Sequence, residues 1–424
     1  MSITKHKINR AAEEFNRAEV ITRLEQSSFK QADASDYVPY GEPYSKKGQD
    51  SRVDFLEQKL NASIDYLKGA KSFDDHAQLQ GNIENYMGMT QIPTGVAGPV
   101  HINGSAATGD FYIPLATTEG ALVASYGRGM KACRVSGSIT SVCLLEGVQR
   151  SPYFKFKTMP EMGKFVLWVL EELETLQEIT EKSSNYAQLN DLTVNIEGNS
   201  AILTFEFTTG DAAGQNMVTI CTSAICQYIL ENSPVAPAYW FIESNYSGDK
   251  KATALSFTNV RGKKVSSEIV LPREVVEKVL KSTPERMVDY WRASTLGVIQ
   301  SGAIGAQGHV ANGLTALFLA CGQDAACIAE VSIGVTRMEV TENKDLYTSV
   351  TLPSLIVGTV GGGTHLPTQS ECLNLLGCLG VGKAKKFAEI CGAVALAGEL
   401  SIAAAMSAGH FAQAHQKLGR KSKS

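Results

Sequence analysis

The stretch from Gly297 to Ala329, GVIQSGAIGAQGHVANGLTALFLACGQDAACIA, holds one acidic residue, Asp324, and neither Lys nor Arg. Its apolar and small residues predict a buried helix. A carboxylate in such a setting must be hydrated, neutralised or paired with a cation that the fold brings in. The segment NYSGDKKATALSF offers a cation, because Asp249, Lys250 and Lys251 stand together between strand-like runs. The triplet is either a solvated surface loop or a site in which Lys250 meets Asp324. A lysine held between carboxylates stays protonated, polarises a carbonyl and stabilises the oxyanion that forms on it. A second acid, Glu119 in PLATTEG, stands where a strand gives way to an apolar-periodic helix. It is read either as an acid in the first helical turn, favoured by the helix dipole, or as an acid facing a cleft.

Two glycine-rich segments could cradle a phosphate. GDAAGQNM, residues 210–217, opens a helix, where small residues let a ligand approach free N–H groups at the positive end of the dipole. GTVGGG, residues 358–363, has the same potential, and a tight turn accounts for either equally well. The last helical segment, from Lys383 to about Lys417, carries His410 and His415. Such histidines are usually idle, but an imidazole on a movable last helix could close over a site as an acid.

The elements that must position these groups read as α+β. Residues 1–50 form a polar N-terminal arm, and Val53, Leu56, Leu60 and Ile64 mark an amphipathic helix over 51–66. The Gly- and Pro-rich run 81–104 predicts loops before and between short strands. Residues 153–243 read as an inserted small domain in α-β-β-α-β order, the split-sheet arrangement of ferredoxin-like domains. Residues 51–152 and 244–424 form the large domain around the central helix. A chain of 424 residues is long enough for two cores, and a net charge of -4 gives no reason to expect nucleic acid or a membrane surface. Nine cysteines without CxxC spacing read as core residues in a reducing compartment, and no metal site is expected. No signal-peptide pattern opens the chain and no segment is expected to span a membrane, so the expected location is cytoplasmic.

ENYMG, IPTGVAGP, PLATTEG, GDAAGQNM, NYSGDKK, HVAN, ACGQDAA, LYTSVTLPS, GTVGGGT and AGELS occur in the order found in hydroxymethylglutaryl-coenzyme A reductases. The chain resembles the catalytic domain of that family from about residue 80 to 416, closest to its eukaryotic and archaeal branch. The resemblance implies a catalytic set of Glu119, Lys250, Asp324 and His415, rather than His410. It implies a dinucleotide held by Asp211, Gly214, Asn216 and Met217, with Asn185 where a basic residue often meets the 2′-phosphate of NADPH; NADH therefore stays open. Ser125, Arg128 and His309 would face coenzyme A, and Arg150, Asn245, Asp249, Lys251 and Asn312 would surround the acyl group. A homodimer with shared active sites is implied, with a dimer of dimers left open.

Several positions depart from the family pattern. The lysine expected to meet the free carboxylate of the substrate falls on Ser294 counting forward from TPERM, or on Arg292 counting back from His309. The serine before the Asn245 turn is Glu243, which would put a negative charge where a carboxylate substrate should sit. Gly127 replaces an asparagine that contacts coenzyme A, and Lys421 replaces the serine phosphorylated in animal enzymes. The expected function is four-electron reduction of an acyl-CoA thioester to an alcohol by NAD(P)H, with hydroxymethylglutaryl-CoA giving mevalonate. The alternatives are a different acyl-CoA lacking the distal carboxylate and a non-catalytic CoA-binding homologue.

Overall fold

The computed structural model describes residues 18–25 and 33–409; His410, His415, Lys421 and most of the expected arm lie outside them. The first helices are α1 (Ala18–Glu25) and α2 (Lys46–Leu60). The helix expected over 51–66 thus starts and ends earlier. The Ser45 hydroxyl accepts from Gly48 N–H at 3.0 Å, and Asn61 turns left-handed (φ 49°) to close it. Leu56 and Ile64 pack with Tyr112 and Leu375 in a small satellite core.

The Gly/Pro-rich run yields more strand than expected. β1 (Thr94–Gly104) pairs antiparallel with β2 (Thr108–Ala116). After α3 (Leu122–Ser136) comes β3 (Ile139–Arg150), a long strand shared by the two halves of the molecule. Its early residues pair with β8 (Gly262–Leu271), and Val148 to Arg150 pair with the small unit.

That unit contains β4 (Tyr153–Lys155), α4 (Met159–Glu171), α5 (Leu173–Ser183), β5 (Gln188–Glu197), β6 (Ser200–Thr208), α6 (Gln215–Asn232) and β7 (Tyr239–Phe241). The three-residue strand β4 was not foreseen; it is too short to show alternation, yet it sits between β6 and β7 and makes the order β-α-β-β-α-β. The first helix of the expected order is two helices, meeting at Glu172. Phe154, Phe165, Phe205, Phe207 and Ile225 form a core of its own.

The remaining elements are α7 (Pro284–Ser301), α8 (Val310–Ala320), α9 (Ile328–Val331), β9 (Val335–Val340), β10 (Leu346–Leu355), α10 (Pro367–Leu375) and α11 (Ala384–Ser407). The single buried helix expected over 297–329 is therefore the end of α7, a loop, α8 and a turn. Gly302, Gly305 and Gly322 adopt left-handed φ of 71°, 93° and 67°, which a continuous helix does not tolerate. Only α8 is buried, and the helix at the centre of the large core is α11, nearly all of whose residues are inaccessible. Contrary to expectation, α11 is long and apolar enough to cross a membrane by length and composition; 89% of its most apolar window is buried within the protein. All nine cysteines are free and buried, as read from the sequence.

Tyr126 on α3 locks three helices together. A Cβ on Gly313 of α8 would lie 2.1 Å from its ring, and one on Gly398 of α11 would lie 2.4 Å away. Gly129 brings α3 so close to α11 that a Cβ there would meet the Ala397 carbonyl oxygen at 1.8 Å.

Candidate active site

Between β7 and β8 the chain makes a tight loop in which Asn245, Gly248 and Lys250 all take left-handed φ. The loop aims the Lys250 ammonium at Asp324, with Nζ to Oδ2 at 2.8 Å. Asp324 is not buried in a helix: both side chains are 44% exposed, and its other oxygen accepts from Ala326 N–H at 3.0 Å, capping a 3₁₀ turn. The Asp324 hydrogen bond raises the Lys250 pKa above its ordinary value, against the opposing effect of burial. Lys250 is thus a cation with solvent access on one side.

Behind it, Asp249 accepts from Arg150 at 2.9 Å and from Arg261 at 2.6 Å. Burial raises the Asp249 pKa, but the two guanidiniums outweigh it and hold the carboxyl below its usual range. Arg150 also donates to the Gln215 carbonyl at 3.1 Å and to Thr219 Oγ1 at 2.8 Å, tying β3 to α6. Lys251 folds back to the Asp249 carbonyl oxygen at 2.9 Å. The Glu243 charge turns inward: Oε2 accepts from Ser151 N–H at 3.2 Å and Ser247 Oγ at 3.1 Å, and lies 3.5 Å from Arg150. The other Glu243 oxygen, Oε1, is buried and makes no hydrogen bond among the described residues.

Three loops meet beside this pair. Gln323 donates to the Gly358 carbonyl at 2.9 Å and accepts from Gly358 N–H at 2.8 Å, joining the Asp324 turn to GTVGGG. Thr359 N–H donates to the Asp211 carbonyl at 2.8 Å, joining GTVGGG to GDAAG. Gln215 Nε2 approaches Cys327 Sγ at 3.0 Å, closing the ring. Gly214 starts α6 with φ 82°, and Gly210, Gly361 and Gly362 face open space. Asn216 is exposed at the first turn, while Met217 packs on the small core. The Asp211 carboxylate behaves otherwise than expected of a ligand contact. Its oxygens accept from Gly382 N–H at 2.7 Å and Ala384 N–H at 3.0 Å, so it caps α11. Asn185 is exposed between α5 and β5, and no hydrogen bond joins it to these loops among the described residues.

A second cluster lies over α3, α8 and α11. Glu119 precedes the left-handed Ala121 that starts α3, so it is not a first-turn cap. Its carboxylate instead accepts from Asn312 Nδ2 at 2.8 Å. His309 stacks on Tyr126 at 4.9 Å between ring centroids; its Nδ1 lies 3.5 Å from Glu399 Oε1, and among the described residues its ring nitrogens make no hydrogen bond. Glu399, from AGELS, seats that turn by accepting from Gly308 N–H at 2.6 Å, His309 N–H at 2.8 Å and Thr336 Oγ1 at 2.8 Å. Ser125 and Arg128 converge on Ser401, at 3.0 Å between hydroxyls and 2.7 Å to its carbonyl oxygen. Among the described residues no hydrogen bond or ion pair joins Glu119 to Lys250 or Asp324.

The sequence profile described as hydroxymethylglutaryl-coenzyme A reductase matches residues 48–420. The chain belongs to the hydroxymethylglutaryl-coenzyme A reductase family. It is 46% identical over 373 residues to the 3-hydroxy-3-methylglutaryl-coenzyme A reductase of Pyrococcus abyssi, covering 86% of this chain and 91% of that one. The reductase of Methanocaldococcus jannaschii is 42% identical over 381 residues, 89% of this chain and 94% of its own length. Among solved structures, the class II reductase of Streptococcus pneumoniae bound to NADPH in open conformations shares the fold. It has a TM-score of 0.70 at 18% identity and covers 87% of this chain and 100% of its own. The resemblance read from ten short motifs is therefore borne out. Sequence reasoning assigned no role to Gln215, Gln323, Arg261, Glu330 and Glu399, which hold these loops through buried or backbone contacts; Gln215, Gln323 and Glu399 lie in motifs already singled out, GDAAGQNM, ACGQDAA and AGELS, whereas Arg261 and Glu330 lie in none.

Proposed function

We propose that the chain reduces hydroxymethylglutaryl-CoA to mevalonate and free coenzyme A, with NADPH as reductant. The observation that carries this reading is the Lys250–Asp324 pair, 2.8 Å apart and half exposed beside three glycine-bearing loops. Those loops suit a dinucleotide. Gly361 and Gly362 leave open space, α6 presents its positive end, and the nearest carboxylate, Asp211, is turned onto backbone N–H groups rather than towards a phosphate. When bound, the nucleotide supplies one hydride in each of two rounds.

Lys250 stabilises the oxyanion formed as the thioester carbonyl is reduced. The carbon–sulfur bond of the hemithioacetal then breaks, leaving an aldehyde and a thiolate. His415 is the acid the family motif assigns to that thiolate. In the second round Lys250 again holds the developing alkoxide, and Glu119 is positioned by Asn312 to give it a proton. Arg150 and Asp249 fix the acyl side of the pocket, while Ser125, Arg128 and His309 line the coenzyme A side. The small unit 153–243 carries the nucleotide. Among the described residues no hydrogen bond or ion pair links the Glu119 and Lys250 clusters within one chain, and in this reading a second copy completes each site. The exposed side chains of Ile83, Met87 and Met89, at 49%, 100% and 50%, supply apolar surface for that contact.

The test is nucleotide oxidation by the purified protein with hydroxymethylglutaryl-CoA and with acyl-CoAs lacking the distal carboxylate. Two nucleotides oxidised per coenzyme A released, with the former alone, is the expected result. Turnover confined to the latter would favour the second reading, for which Ser294 in place of a lysine speaks. Arg292, the nearest cation on α7, is 68% exposed and pairs with Asp289 at 3.4 Å.

A further inference from the structure

Lys250 takes φ 56°, a backbone conformation that is uncommon and costly for a residue with a side chain. Glycine would relieve the strain, but glycine has no ammonium. A group that holds the main chain there comes from the segment that carries Asp324. Six residues on, in α9, the Glu330 carboxylate is fully buried, at 0% exposure. Its Oε1 accepts a short hydrogen bond from Lys250 N–H. Its Oε2 accepts from Arg261 Nε at 3.1 Å, and Arg261 is itself 1% exposed. The same guanidinium reaches the Gln149 carbonyl at 2.9 Å and Asp249 at 2.6 Å. One short segment, 324–330, therefore grips Lys250 at both ends, the side chain through Asp324 and the main chain through Glu330.

We propose that Glu330 is a positioning residue for the reduction, setting the Lys250 ammonium by fixing its left-handed backbone. The inference rests on Lys250 being the oxyanion-stabilising group. Glu330 touches no reacting atom, and its two oxygens face two donors, Lys250 N–H and Arg261 Nε–H. Burial pushes its carboxyl above the ordinary value, with Arg261 and the Lys250 N–H pulling the other way. The isosteric amide cannot serve both donors, because one of its two polar atoms is itself a donor. Glu330→Gln therefore keeps the shape of the site while releasing one end of the grip.

The experiment measures kcat and KM for thioester and nucleotide in wild type, Glu330→Gln, Lys250→Ala and the double variant, each normalised to folded protein by circular dichroism. A misplaced catalytic group costs rate more than binding, so Glu330→Gln should lower kcat on the order of tenfold or more with both KM values within about twofold. Added to Lys250→Ala, it should cause no further loss, since its effect runs through Lys250. An unchanged kcat per folded molecule overturns the proposal, as does a loss that multiplies in the Lys250→Ala background. Wild-type rates in Lys250→Ala alone would instead remove the oxyanion role of Lys250, a separate failure. Should Glu330→Gln not fold, Glu330→Asp, which keeps the charge but shortens the reach, carries the same kcat and KM expectation.

Discussion

The Lys250–Asp324 pair keeps nearly half of each side chain in water, so its attraction is screened and its value lies in chemistry rather than stability. The Asp324 hydrogen bond raises the Lys250 pKa. Any stabilisation from that shift is present below the ordinary lysine value and fades only as pH climbs through the raised one, far above neutrality. The consequence for rate is testable. In Asp324→Asn the lysine loses its partner, so the alkaline limb of the kcat/KM profile should move to lower pH, read from about pH 7 to 11. An alkaline limb that stays in place would mean that another group governs it. At this scale the sequence was informative about identity and silent about setting. Lys250 meeting Asp324 could be argued from an acid in a cation-free stretch, whereas the exposure of Asp324 could not, because it depends on three glycines breaking the expected helix. Asp211 shows the converse. Its motif was read as a nucleotide loop, but its carboxylate serves the start of a helix 173 residues further along the chain, a contact that no local pattern encodes.

The helices α3, α8 and α11 meet where side chains are missing rather than where they interlock. Adding a methyl at Gly129 would drive it into the Ala397 carbonyl at 1.8 Å, and neither backbone can yield cheaply inside a packed core. Gly129→Ala should destabilise the protein by about 3 kcal/mol or more, seen as a lowered denaturation midpoint. Gly127, two positions away, meets only Ala97 Cβ at 3.9 Å. Gly127→Ala should be neutral or stabilise by up to about 1 kcal/mol, because alanine is the better helix former. Equal losses in the two variants would show that the close approach does not control the crossing. Helical periodicity read α3 well, but not which of its glycines lie at a crossing. The lost strand β4 has the same cause: three residues carry no period, and only their partners on β6 and β7 make them a strand.

Taken whole, one chain brings together Lys250, Asp324, Asp249 and Arg150, and separately Glu119, Asn312 and His309. If two copies complete each site, Glu119→Gln and Lys250→Ala should complement each other. Each variant alone would have no intact site, but a mixed dimer carries both lesions in one site and none in the other. Coexpression at equal amounts should then return about a quarter of wild-type activity, from the mixed half of a random pairing. No recovery, with mixed dimers shown to be present, would place both residues in the same chain's site. Motif order made the family legible, because ten ordered segments constrain it more tightly than any one of them. A homodimer with shared sites was expected from the resemblance alone; the surface offered for it, such as Met87, was not legible, because only the folded chain reveals its exposure.

β3 has a mechanical consequence. At the usual rise its twelve residues span about 40 Å, and the strand passes from the ladder with β8 directly into the ladder with β6. The small unit is therefore mounted on a rod that is also part of the large sheet, not on a slack tether. A rod clamped along one end yields in torsion before it folds like a hinge. Whatever clearance is needed to trade a spent nucleotide for a fresh one would come from wringing this strand about its own axis. The stiffness of its ladder would then set how far the cleft opens.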